Sequence, residues 1–109
     1  MDQQELRNQI LSDINSERER QDIKWGIQTH PSVMYPDPEN NFSLYGILSE
    51  EKSRNLNEEA FSEGRGTWSH IALEEFAESI GCTNEKDREG ELIQLAAVIV
   101  AWIEDLRKR

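Results

Sequence analysis

With 109 residues, 36% hydrophobic and 31% charged, the chain has the composition of one modest, soluble globular domain rather than a disordered segment. Its formal charge of −10, with no basic stretch denser than Arg107-Lys108-Arg109, excludes a direct grip on a nucleic-acid backbone. An acidic protein still reaches an anionic nucleotide when a divalent cation stands between its carboxylates and the phosphates.

In chain order the pattern predicts four helices, no strand, and a single domain over residues 1–109. The first helix runs from about Asp2 to Ile23, where Leu6, Ile10 and Ile14 recur at helical spacing as one narrow apolar stripe. Gly26 ends it. Pro31, Pro36 and Pro38 make residues 28–43 an irregular loop. A second helix is expected from Leu44 to about Phe61, and Gly64-Arg65-Gly66 breaks the chain after it. Thr67 is placed to cap a third helix that ends near Ile80, with Gly81 as its stop. Thr83 or Asn84 caps the fourth, which runs to Leu106 with basic residues at its C-terminus. Gly90 inside that helix predicts a close approach by a neighbour, since glycine there costs about 1 kcal/mol relative to alanine.

The single cysteine, Cys82, excludes a disulfide within one chain and reads as a reduced thiol. Met1-Asp2-Gln3-Gln4-Glu5 is too polar for a signal peptide. The longest nearly apolar run, Leu92 to Ile103, is too short to span a bilayer and belongs to a core. A cytoplasmic protein without membrane contact is expected. That same run is apolar on every side of its helix, and a helix apolar all round must be buried all round. In a chain this short the other three helices cover two of its sides, so a homodimer or homotetramer is expected, with Ala96, Ala97 and Ala101 allowing close approach.

The acidic residues carry the functional signal. At about 100° per residue, Trp68, Ile71, Ala72, Glu75 and Ser79 share one face of the third helix, with Glu78 beside it and Glu74 at its edge. A carboxylate on a core-facing stripe needs a partner, either a metal ion or an arginine. In the fourth helix Asp87, Glu91 and Gln94 share a face that becomes apolar at Val98 and Trp102. If the two helices pack antiparallel through their short turn, Glu75 and Glu78 lie opposite Glu91 and Gln94. Oxygen ligands gathered in this way suit Mg²⁺ or Mn²⁺. The competing reading is a solvated acidic face, since the chain has 22 acidic residues.

Glu75-x-x-Glu78, twelve intervening residues and Glu91-x-x-Gln94 resemble the E-x-x-E…E-x-x-D signature of the all-α nucleotide pyrophosphohydrolases, which include MazG and the dimeric dUTPases. The segments Glu19 to Gly26, Gln28 to Pro31, Gly66 to Glu75, and Glu91 to Val98 with Trp102-Ile103-Glu104 resemble a MazG-like branch found in phages and bacteria. The resemblance implies an oligomeric helical bundle that binds Mg²⁺ and hydrolyses nucleoside triphosphates to monophosphate and pyrophosphate. Glu75, Glu78 and Glu91 would then hold the ion, which lowers the pKa of an attacking water, and Glu74 would be the general base or a supporting group behind them. The family's last Asp is Gln94 here, an oxygen donor without charge, and Asp87 is placed to compensate.

Around such a site Trp25 and His30 offer a stacking platform and a polar contact for a base, or else a core tryptophan and a surface histidine. Lys24 is placed to meet phosphate. Arg54 and Arg65 either neutralise phosphate or pair with acids, and Trp68 belongs to the same substrate-binding set. His70 reads as a helix-surface residue. Two rivals stand beside the enzyme: a non-catalytic protein that sequesters a signalling nucleotide, and a structural oligomer whose glutamates pair with arginines.

Overall fold

The computed structural model describes all residues, 1–109, and is all-helical, with five helices and no strand. They are α1 (Gln3–Trp25), α2 (Pro38–Tyr45), α3 (Glu50–Ser62), α4 (Trp68–Gly81) and α5 (Glu85–Lys108). No helix is long and apolar enough to cross a membrane. The chain divides into two compact units, residues 1–32 with 100–109, and residues 33–99.

In the first unit, Asp2 caps α1 by accepting the Glu5 amide at 2.8 Å. Pairs one turn apart stabilise its charged surface, among them Arg18 with Asp22 at 2.8 Å and Arg20 with Glu17 at 2.6 Å. Only Ile10 of the expected stripe is fully buried. Glu104 is buried as well, and it accepts from Gln3 and from Arg7, the latter at 2.9 Å. Arg107 reaches Asp13 at 2.7 Å.

The second unit corrects the expected helix count. The loop predicted over 28–43 contains the start of a helix, because Asp37 caps it and Pro38 fits the first turn, where its missing N–H is no loss. The helix expected from Leu44 to Phe61 is two helices. Gly46 adopts φ 67°, a left-handed conformation that glycine accepts without strain, and ends α2. Ser49 then caps α3 on the Lys52 amide. The buried face of α3 is Ser53, Asn57 and Ala60. Small and polar residues there let α3 approach α4, and hydrophobic periodicity does not report such a face.

α2 and α3 both pack on α4. The apolar core is Phe42, Ala77 and Ile80, with Val33 and Ile47 against it. The proline-containing segment is tied down by buried Asn41, which accepts the Tyr35 amide and donates to the Tyr35 carbonyl. At Gly66 a Cβ would lie 2.2 Å from the Phe61 ring, so the break between α3 and α4 needs a glycine for space. Gly90 has nothing within 4 Å of a built Cβ, so the expected close approach there is absent.

Candidate metal centre

α4 begins where the sequence places it. Thr67 accepts the His70 amide, and His70 Nδ1 accepts the Thr67 amide at 3.1 Å, a reciprocal cap that fixes the first turn. From that start, Glu74, Glu75 and Glu78 fall on half-buried positions, whereas Leu73 and Phe76 are exposed. α5 is started by Asn84, whose side chain accepts the Asp87 amide at 2.9 Å.

Arg88 joins the two helices. Its buried guanidinium donates to the Ser79 carbonyl at 2.9 Å and the Cys82 carbonyl at 2.5 Å, and it pairs with Glu85. These are carbonyls that the last turn of α4 leaves without helical partners. One turn beyond Arg88 comes Glu91, and the joint brings it to α4. Carboxylate oxygens of Glu75, Glu78 and Glu91 all lie within 4.8 Å of one another.

The electrostatics of this triad are those of crowded acids. Burial, then hydrogen bonding to Glu91 and the charges of Glu75, Glu91 and Glu74, push the Glu78 carboxyl up to about 7. Burial first, and then Glu91 and Glu74, raise Glu75 as well. Glu75 Oε2 and Glu91 Oε2 are buried without a hydrogen-bond partner. None of the three carboxylates has an ion pair. The Cys82 thiol donates to the Glu78 carbonyl at 3.2 Å, and burial, then the charge of Glu91, holds its pKa above the usual thiol value.

The other predicted residues separate into groups. Glu74 Oε1 meets Arg54 Nε at 3.7 Å and its Oε2 accepts from Asn57 at 2.5 Å, so Arg54 is an acid's partner in this structure. Asp87 is exposed and accepts from Asn84 at 2.7 Å; it does not join the triad. Gln94 is exposed. Trp68 is half-buried at the start of α4. Arg65 pairs with Glu63. In the first unit Lys24 Nζ lies 4.8 Å from the Trp25 ring centroid, and His30 contacts Gln28 at 3.3 Å. Trp25 is exposed, with one face engaged by Lys24.

Two residues escaped the sequence reading. Asn57 is three positions after Arg54, and that helical spacing is the signal that both reach Glu74. Arg88 resembles any other charge in an acidic helix start, and no sequence signal marks it. Fold and site together define an all-α protein with a carboxylate triad at a helix–helix joint. The chain matches no protein-family model, no curated protein and no solved structure.

Proposed function

We propose that the chain is a MazG-like nucleotide pyrophosphohydrolase in which Glu75, Glu78 and Glu91 hold Mg²⁺, or Mn²⁺, against the phosphates of a nucleoside triphosphate. The observation that carries this reading is the triad, with its carboxylate oxygens within 4.8 Å of one another and two of its oxygens buried and unpaired. A structural role for the acids calls for arginine partners. Glu74 has one in Arg54, whereas the triad has none. Three hard oxygen donors fit a divalent cation of this class.

Bound there, the ion would supply positive charge to the phosphates and a more acidic water. The chain's own residues do the rest. Glu78 must release its proton before the triad can accept a cation. Glu74 has both oxygens engaged, by Arg54 and Asn57, and acts by holding its position behind the triad. Glu75 has two carboxylate oxygens, so one can hold the ion while the other takes the proton of the attacking water. The same reading makes the protein a homo-oligomer.

The non-catalytic nucleotide-binding reading is favoured by one feature, the exposed and uncharged Gln94 where the family signature has a fourth carboxylate. Pyrophosphate release from a panel of nucleoside triphosphates, with Mg²⁺ and with EDTA, separates the two. The enzyme reading expects release with Mg²⁺, loss of at least about 100-fold in a Glu75→Gln, Glu78→Gln double variant, and a gain in Gln94→Asp. Nucleotide binding without release selects the sequestering protein, and neither binding nor release sinks both.

A further inference from the structure

α3 packs on α4 in one antiparallel register. Glu50 Oε1 stands 2.5 Å from where a Cβ on Gly81 would lie, Asn57 donates to Glu74, and the Phe61 and His70 rings meet at 6.4 Å between centroids. These three contacts set Arg54 level with Ala77, one residue and about 1.5 Å of helical rise from Glu78. Its side of α4 is fixed as well. Arg54 pairs with Glu74, which lies one turn before Glu78 on the same face. The charge of Glu74 reaches the triad, where it helps to raise the carboxyls of Glu75 and Glu78.

Arg54 is also the arginine of the second unit that the fold leaves least engaged. Arg65 is bound to Glu63, and Arg88 is spent on the Ser79 and Cys82 carbonyls. Arg54 meets Glu74 through Nε at 3.7 Å, an ion pair too long for a hydrogen bond. Glu50 and Glu58, one turn before and after it on α3, form no ion pair with it. The Nη1–Nη2 edge of its half-exposed guanidinium is therefore without a protein partner. Three carboxylates and one divalent cation leave a net negative charge, and a triphosphate adds several more. A phosphate chain at the triad needs a cation beyond the ion itself, and the planar edge of a guanidinium matches two phosphate oxygens.

We infer that Arg54 is the phosphate-binding arginine of the site, held at Nε by Glu74 and offering its Nη1–Nη2 edge to the oxygens of a phosphate chain that the ion holds. The inference rests on the nucleotide reading above. It gives Glu74 the task of aiming Arg54 as well as standing behind the triad.

Inorganic tripolyphosphate, which carries no base, tests the contact by isothermal titration calorimetry in excess Mg²⁺. Arg54→Gln removes the charge but keeps a donor for Glu74, so a purely structural role would survive it. The variant is expected to bind tripolyphosphate about 10- to 100-fold more weakly. Its rise in Tm with Mg²⁺ alone should match that of the unaltered protein, which also shows that fold and triad are intact. Arg54→Lys keeps the charge without the planar edge, and should lose only about three- to tenfold. Arg65→Gln makes the same change in net charge and should bind within about twofold of the unaltered protein. Equal affinity in Arg54→Gln and the unaltered protein would overturn the contact. So would an equal loss in Arg65→Gln, or a Mg²⁺ effect lost together with the phosphate. Tripolyphosphate that binds equally well in EDTA, yet more weakly to Arg54→Gln, would keep the arginine contact and reject the ion at the triad. No binding to the unaltered protein under either condition would sink both.

Discussion

Glu78 is the residue whose titration reports the triad. Its carboxyl is held at about 7 in the fold, against an ordinary value of 4.5. The neutral form is therefore favoured by folding, and this contribution to stability is complete below pH 4.5 and lost as pH rises to about 7. Glu104 runs the other way. Hydrogen bonding to Arg7 lowers its pKa, so its contribution is present above the ordinary carboxylate range and lost in acid. A cation at the triad competes with the Glu78 proton, so metal affinity should rise between pH 5.5 and pH 8. The difference in Tm between Mg²⁺ and EDTA cancels Glu104 and isolates this effect. It is expected to be small at pH 5.5 and to reach several degrees at pH 8; coincident melting curves at pH 8 would remove the ion from the triad. The three glutamates were singled out by their helical spacing and by Glu75 on a stripe expected to face the core. Of that stripe only Ser79 is fully buried, and the core face of α4 is Ala77 and Ile80. Their proximity was expected on the condition that the two helices pack antiparallel; the Arg88 contacts that join them carried no signal in the sequence.

Among the elements, α4 and α5 are set against each other by one buried arginine. Arg88→Met keeps much of the side chain's bulk but leaves the Ser79 and Cys82 carbonyls without their donors. The expected cost is about 2–4 kcal/mol, the range for breaking a buried charged hydrogen-bond set. Urea denaturation at pH 7 measures it, and a loss below about 0.5 kcal/mol would show those carbonyls satisfied otherwise. Helix limits set by caps were readable: Gly26 ends α1, Thr67 starts α4 and Asn84 starts α5. The division between α2 and α3 was not read, although Asp37-Pro38 and Ser49 are good starts. The helix expected from Leu44 ran through Gly46, and the left-handed turn at that glycine interrupts it.

At the scale of the molecule, exposed apolar surface on α5 is the reason assembly is expected. Within the second unit, Leu92, Ile93 and Ile99 of α5 are 48%, 62% and 40% exposed. Soluble monomers rarely leave such side chains clustered in water. Light scattering at micromolar concentration is expected to give a multiple of the 12.7 kDa chain mass. Ile93→Glu should lower that mass by placing a charge in the contact. A stable mass near one chain in the unaltered protein would refute assembly.

The sequence alone determined that the protein is helical, where capped helices begin, and which acids share a helix face, because caps and periodicity act within a few residues. Tertiary structure decided which acids meet. It met the condition under which Glu91 was expected opposite Glu75 and Glu78, turned Glu74 toward Arg54 and Asn57, and left Asp87 and Gln94 in solvent. The physical reason is that a helix face fixes direction but not neighbour. Neighbours follow from the packing of α3 on α4 through small residues and from the Arg88 contacts across the α4–α5 turn.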